Sequence, residues 1–277
     1  MANQDYPTVD ALAPAQILEK AQAVGTGKAS MPLGRAFVLA CLAGFYIGMG
    51  GMFMLLVKAD PTLPFAASSL LGGFVFSLGL FAVIVAGAEL FTGNSLMLIG
   101  CLSGKYGVSD LLKSWAVVYL GNLCGSLLLV AVLFFANFAG MNKGQVGITM
   151  ISVADAKCAL PWATAFFRAI MCNVLVCLGV WMGFAGKTVV DKFFAAAMPV
   201  MAFVACGFEH CVANMFFIPM GLVTLATTGL GDGQTISGAL NLMGMLSNLS
   251  AATLGNIVGG ALLFAGAYWL AFGKKAR

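Results

Sequence analysis

Two apolar stretches of this sequence are too long for one membrane-spanning helix and contain no polar turn that would divide them into two. They cover residues 66–102 and 193–229. A continuous helix of about 37 residues would be about 55 Å long, whereas the hydrocarbon core of a bilayer is about 30 Å thick. Each stretch contains one acidic residue, Glu89 or Glu209, and a glycine lies two positions before each of them. We therefore predict one span per stretch, broken at the glutamate, with the turn facing protein or water.

The remainder of the chain has the composition of a membrane protein. Hydrophobic residues make up 61% of the 277 residues and charged residues only 9%, against about 25% charged in soluble domains. Four further apolar segments have ordinary span lengths, and they cover residues 36–57, 111–137, 159–184 and 249–272. The composition predicts an all-α membrane protein with six transmembrane helices in a lipid bilayer. No basic cluster is dense enough for nucleic-acid binding.

Two motifs occur twice and indicate an internal duplication. GAELFTGN at 87–94 is matched by GFEHCVAN at 207–214, and LGNLCGS at 120–126 by LGNIVGG at 254–260. We predict two three-helix repeats, about 35–140 and 158–273. Three is an odd number, so the halves insert with opposite topology and their breaks, in the second and fifth helices, meet near the midplane. For the Gly-Asn motifs alone, close helix packing is the favoured interpretation.

The basic residues predict the orientation of the chain. Ten of the 14 lysines and arginines fall at one set of segment ends, which the positive-inside rule assigns to the cytoplasm. Both termini are then cytoplasmic, with a segment 1–34 before the channel domain 35–273 and a tail 274–277 after it. Residues 10–24 fit a short amphipathic surface helix, and a frayed tail is the alternative.

The polar residues at the two breaks are candidates for a central site. A charge at membrane depth costs about 2.5–3.5 kcal/mol, so Glu89 and Glu209 either brace the turns or handle substrate. Lys157, in the loop before the fourth span, is a candidate partner of Glu209. Asn94 and Asn214 follow the breaks, where capping explains them as well as substrate contact does.

His210, the single histidine, lies in the second break, and Thr92 lies in the first. A buried histidine there can donate a hydrogen bond to an anion or transfer a proton. The alternative is a neutral histidine satisfied by a neighbour. Large apolar residues near the breaks would serve either as hydrophobic gates or as bundle core, and these are Phe76, Leu80, Leu90 and Phe203.

Several of these motifs resemble the formate/nitrite transporter family, over essentially the whole chain from Arg35 onward. The motifs are FSLGL with GAELFTG, GNLCGS, CNVLVCLGVWM, GFEHCVANMFFIPMG and LGNIVGG. The resemblance implies an aquaporin-like six-helix protomer, assembled as a homopentamer in the inner membrane with one pore per protomer. It also implies an N-terminal segment able to gate the cytoplasmic mouth.

The resemblance also assigns individual residues. It implies that Thr92 and His210 form the central pair. It places Phe76 and Leu80 at a cytoplasmic constriction, and Leu90 and Phe203 at a periplasmic one. The supporting polar residues are Glu89, Asn94, Lys157, Asn173, Glu209 and Asn214.

These observations predict a channel for small monovalent anions of weak acids, formate above all, with protonation of the anion by His210. Nitrite is an alternative, because ELFTG at 89–93 is closer to the nitrite-type pattern than to the DLFTS that is typical of formate channels. Hydrosulfide is a further alternative, because some relatives in the family carry it. An aquaporin-type neutral-solute channel would carry Asn-Pro-Ala repeats, which both breaks lack. A membrane enzyme is disfavoured by a single histidine and by cysteines without ligand spacing. We expect no metal and no cofactor, and a purely structural protein would leave the duplicated breaks unexplained.

Overall fold

The computed structural model describes residues 10–273, and every regular element in that range is a helix. The predicted tail 274–277 lies outside the described residues, as do residues 1–9 of the N-terminal segment. The helices are α1 (Pro14–Ala29), α2 (Leu33–Lys58), α3 (Phe65–Gly87), α4 (Gly93–Leu102), α5 (Val108–Phe135), α6 (Gln145–Cys158), α7 (Trp162–Ala185), α8 (Val189–Ala205), α9 (Cys211–Thr228) and α10 (Leu242–Phe272).

Six of these helices are long and apolar enough to cross a membrane, namely α2, α3, α5, α7, α9 and α10. The prediction of an all-α membrane protein with six spans is therefore confirmed. Within the two overlong stretches, residues 88–92 separate α3 from α4, and residues 206–210 separate α8 from α9. Both non-helical segments contain the predicted glutamate. The opposite orientation of the two halves stays a prediction from the repeats.

Glycines end the helix that precedes each break. Gly87 closes α3 with φ of +82°, and Gly207 follows α8 with φ of +67°. Side chains with a Cβ rarely adopt this left-handed conformation. The chain can therefore leave the helix axis sharply at these two positions, which brings the following residues toward the centre of the protein.

The Gly-Asn motifs lie where helix backbones touch, which confirms the close-packing interpretation. A Cβ on Gly125 of α5 would lie 1.9 Å from the carbonyl oxygen of Cys41 in α2. In the second half, a Cβ on Gly259 of α10 would lie 2.1 Å from the carbonyl oxygen of Ile170 in α7. The pairs α2–α5 and α7–α10 thus pack in corresponding ways, and these pairs frame the two breaks.

The surface helix α1 begins later and continues further than residues 10–24, and the frayed-tail alternative is wrong for this part of the chain. Its apolar side is buried through Ile17, Leu18 and Ala21. Polar contacts hold it as well, since Lys20 Nζ donates to the carbonyl oxygen of Phe184 at 2.8 Å. Helix α1 is therefore docked onto the ends of the bundle helices.

Candidate functional site

The first break is held by a partly buried ion pair with helix α1. Lys28 Nζ donates to Glu89 Oε2 at 2.9 Å and to Asn94 Oδ1 at 2.6 Å. Asn94 Nδ2 donates to the same carboxylate oxygen at 2.8 Å. The side chain of Glu89 is only 9% exposed, so Lys28 supplies the counter-charge that a buried carboxylate requires. Sequence reasoning missed this role of Lys28.

The second break has a corresponding ion pair, and here the sequence identified the partner. Lys157 Nζ donates to Glu209 Oε1 at 3.0 Å. The other carboxylate oxygen accepts from Asn214 Nδ2 at 2.6 Å and from Asn248 Nδ2 at 3.1 Å. The Lys157 ammonium also lies over the ring of Phe217, 5.6 Å from its centroid. Each glutamate is thus paired and hydrogen-bonded, which supports the bracing interpretation.

The asparagines of the repeated Gly-Asn motifs hold the backbone of each break. Asn122 accepts from the backbone N–H of Phe91 at 2.9 Å and donates to the carbonyl oxygen of Glu89 at 2.8 Å. Asn256 accepts from the N–H of Cys211 at 2.9 Å and donates to the carbonyl oxygen of Glu209 at 3.0 Å. Both side chains are fully buried. The repeat of the motif was the available signal, although it predicted packing alone.

Asn173 lies one step away from the centre. Its Nδ2 donates to Ser95 Oγ at 3.0 Å and to the carbonyl oxygen of Asn256 at 2.6 Å. It therefore supports the residue that holds the second break. Cys177, one turn along α7, has its Sγ 3.7 Å from the carbonyl oxygen of Thr92.

Thr92 and His210 meet between the two breaks. Thr92 Oγ1 lies 2.9 Å from His210 Nε2, and both residues are buried. The backbone N–H of Ala213 donates to His210 Nδ1 at 3.0 Å, because His210 caps α9. Since Nδ1 accepts, the neutral ring carries its proton on Nε2 and donates it to Thr92 Oγ1. The Thr92 hydroxyl proton is then left to donate to another oxygen.

The constriction residues are grouped differently from the expectation. The rings of Phe76 and Phe203 lie 6.0 Å apart, and Phe203 stacks on His210 at 5.8 Å. Both phenylalanines line a cavity that contains Lys157, whereas Leu90 lines a second cavity that contains Lys28. Phe76 is thus grouped with Phe203, and Leu90 lines the other cavity, so the two predicted pairs do not share a cavity. The role of all four residues as constrictions stays a prediction.

The positions of these residues along their helices account for the observed grouping. Along α3, Phe76 lines the Lys157 cavity, whereas Val83 and Gly87 line the Lys28 cavity. Phe76 lies near the middle of this helix, and Leu80 lies one turn further along. Leu90 follows the end of α3 and lines the Lys28 cavity, whereas Phe203 lies near the end of α8 and lines the Lys157 cavity. All four side chains are no more than 3% exposed.

Basic side chains line both cavities in excess of acidic ones. The Lys28 cavity has a volume of about 440 Å³ and is lined by Lys20, Lys28, Arg35 and Lys192 with Glu89 as its acidic residue. The Lys157 cavity has a volume of about 230 Å³ and is lined by Lys58, Lys157 and Arg168 with Glu209. The electrostatic potential of both cavities therefore favours anions. Within residues 10–273, no group of three potential ligands could hold a metal ion.

The chain is similar to known proteins along nearly its whole length. A family model described as formate/nitrite transporter matches residues 15–270. The formate channel FocA of Haemophilus influenzae is 39% identical over 268 residues, with 94% of each chain covered. The formate channel FocA of Escherichia coli K12 is 37% identical over 271 residues, with 95% of each chain covered.

Solved structures agree with these relatives. A pentameric formate channel with formate bound has a TM-score of 0.81 and 38% identity, covering 87% of this chain and 97% of its own. An ion channel of the same family has a TM-score of 0.79 and 30% identity, covering 92% and 98%. The prediction of a transporter and not an enzyme is confirmed, because this chain belongs to the formate/nitrite transporter family.

Proposed function

We propose that this protein is a formate channel of the inner membrane, assembled as a homopentamer with one pore in each protomer. The observation that carries the proposal is the Thr92–His210 pair, buried between apolar constrictions with a basic cavity on either side. The names of the relatives, formate channel FocA and a pentameric formate channel, support the substrate and the assembly.

The orientation follows from the distribution of charge. Every basic residue that lines the Lys28 cavity belongs to the set that the sequence assigns to the cytoplasm. Every one that lines the Lys157 cavity belongs to the opposite set. The Lys28 cavity is thus the cytoplasmic vestibule of the proposed channel, and the Lys157 cavity is the periplasmic one. The two halves are inverted relative to each other.

The constrictions impose a desolvation barrier on the anion. Phe76 and Phe203 offer no hydrogen-bond donor on the periplasmic side, and Leu90 offers none on the cytoplasmic side. An isolated carboxylate loses its hydration there at high cost, whereas the neutral acid loses much less. Hydrogen bonds at the centre hold the anion between the constrictions, and taking up a proton eases its exit.

Thr92 is the group that meets the substrate in this scheme. The Nε2–H of His210 is donated to Thr92 Oγ1, which leaves the threonine hydroxyl proton for a substrate oxygen. Loss of the Nε2 proton would leave an imidazolate unless Nδ1 gained a proton. A proton on Nδ1 displaces the hydrogen bond from the N–H of Ala213. Protonation of formate then runs through Thr92, which gives its hydroxyl proton to the substrate and takes the Nε2 proton of His210, while Nδ1 takes a proton from water. This transfer is therefore coupled to a change at the first turn of α9.

Flux measurements in proteoliposomes test the proposed function. Formate, nitrite and hydrosulfide are compared across pH for the wild-type protein and for His210→Phe. We expect the highest flux for formate, and a reduced flux with a flatter pH dependence in the variant. Formate flux no higher than that of empty vesicles would refute the substrate, and unchanged pH dependence in His210→Phe would refute the proton step.

A further inference from the structure

The Lys28 cavity carries more positive charge than one small monovalent anion requires. Lys28 itself is neutralised by Glu89. Arg35 and Lys192 also line the cavity, and their side chains make no hydrogen bond or ion pair with any residue from 10 to 273. Lys20 donates to a backbone carbonyl oxygen at 2.8 Å and lies 5.9 Å from the ring centroid of Phe184, but it has no carboxylate partner within residues 10–273. Three cationic side chains therefore surround this cavity without a carboxylate partner.

Two of these cations are close enough to repel each other. The pKa of Lys20 lies below its ordinary value because burial disfavours the ammonium form and because the charge of Lys192 repels it. The docking of α1 and the fold of α8 thus hold like charges together, and a bound anion would relieve the repulsion.

The cavity is also large for formate, which has three non-hydrogen atoms. Its volume of about 440 Å³ lies within the range of about 300–1,000 Å³ that is usual for small-molecule sites. Leu90, which is 2% exposed, and Val83 are among the apolar residues that line it, and Leu90 is the constriction residue of this cavity in the proposed channel. The cavity can therefore hold an anion larger than formate, and the apolar residues at the proposed constriction would keep that anion from passing further.

We propose that the Lys28 cavity is a regulatory site for a multivalent phosphate-bearing anion, which Arg35, Lys192 and Lys20 hold and which blocks the pore from this side. The planar guanidinium of Arg35 suits phosphate because it can donate two parallel hydrogen bonds. The ammonium groups of Lys20 and Lys192 supply the further charge that a dianion or trianion needs. The phosphate belongs either to a free solute or to the headgroup of an anionic lipid.

Calorimetric titration of the full-length protein with inorganic pyrophosphate at low salt measures the binding directly. The test variant is Arg35→Gln with Lys192→Gln. The matched control, Lys58→Gln with Arg168→Gln, removes the same two charges from the Lys157 cavity. We expect affinity to fall by about 10- to 100-fold in the test variant, since each lost charged contact is worth about tenfold. The control should stay close to wild type.

Absence of pyrophosphate binding to the wild-type protein, or an equal loss in both double variants, would overturn the proposed site. This titration does not depend on transport, so it decides the site even if formate flux is absent. The proposal that the bound anion blocks the pore rests on the proposed channel function, and it is tested separately by measuring formate flux.

Formate flux with pyrophosphate on both sides of the membrane tests the block. In phosphatidylcholine vesicles we expect pyrophosphate to reduce wild-type flux and to leave the flux of the Arg35→Gln, Lys192→Gln variant nearly unchanged relative to its own baseline. Binding without any such inhibition contradicts the regulatory role. Added phosphatidylglycerol separates the two sources. If the occupant is a lipid, phosphatidylglycerol alone should reduce the flux of the wild-type protein but not that of the Arg35→Gln, Lys192→Gln variant. Pyrophosphate should then have no further effect on the wild-type protein.

Discussion

Replacing Asn256 with leucine should displace the second break and impair transport together with stability. Asn256 is fully buried and makes three hydrogen bonds, with the N–H of Cys211 at 2.9 Å and the carbonyl oxygens of Ala169 and Glu209 at 2.8 and 3.0 Å. Leucine has the same branching pattern but no polar atom. Cys211 and Glu209 flank His210, so any relaxation of these groups moves the ring that contacts Thr92.

The expected loss of stability follows from those three contacts. At about 0.6 kcal/mol per hydrogen bond, the average found in a membrane protein, the loss is about 2 kcal/mol. At about 2 kcal/mol per buried group left without a partner, the loss reaches about 6 kcal/mol. We therefore expect the free energy of unfolding in mixed micelles to fall by about 2–6 kcal/mol, with a reduced formate flux per folded protein in liposomes.

Two further variants separate an effect on transport from a general loss of stability. Asn241→Ala removes the cap of α10, where Asn241 Oδ1 accepts from the N–H of Gly244 at 3.0 Å. It should cost about 1 kcal/mol without changing flux. Asn256→Asp keeps an oxygen that accepts from the N–H of Cys211 but loses both amide donors. Comparison with this variant tests whether reduced folding alone explains the low flux of Asn256→Leu. Reduced stability with normal flux per folded Asn256→Leu protein would refute the idea that this residue positions His210.

Three other changes probe separate parts of the structure. Lys157→Met leaves Glu209 as an unpaired buried carboxylate and should cost about 3–5 kcal/mol in unfolding free energy, with rescue by Glu209→Gln; a loss that the second substitution fails to relieve argues against the ion pair. Gly259→Ala separates α7 from α10 and should cost about 1–3 kcal/mol or more, which thermal unfolding in detergent measures. Phe203→Ala widens the proposed constriction at the Lys157 cavity, so flux of acetate should rise relative to flux of formate. An unchanged ratio excludes Phe203 as a size filter.

The sequence predicted the helices and the breaks because the physical constraint on them is local. A stretch of 37 apolar residues cannot cross a bilayer of about 30 Å as one straight helix. The glycines next to Glu89 and Glu209 marked where the chain leaves the helix. Both predicted breaks lie within the non-helical segments 88–92 and 206–210.

The partners of the two buried glutamates come from distant parts of the chain, and the sequence identified one of the two partners. Lys157 was identified as the partner of Glu209 across 52 positions, whereas Lys28 was missed because it lies on a surface helix outside the repeats. The duplication itself contained a signal, since a paired Glu209 implies a counter-charge for Glu89.

The grouping of the constriction residues came from the family resemblance, and the structure groups them differently because residues far apart in sequence can lie next to each other in the fold. Phe76 and Phe203 are 127 positions apart in sequence, yet their rings lie 6.0 Å apart. The asparagines at 122 and 256 show a related limit. Their motifs predicted close helix packing, which the glycines provide. The hydrogen bonds from the two amide side chains to the backbone of the breaks could not be predicted, because they join residues that are far apart in sequence.

Formate flux in a double-mutant cycle of Thr92→Val and His210→Phe tests the central pair most directly. The two side chains act through one hydrogen bond of 2.9 Å, so each single variant should lose flux and its normal pH dependence, and the double variant should be no worse than the more impaired single one. Independent, additive losses, or a single variant with wild-type flux across pH, would contradict the account.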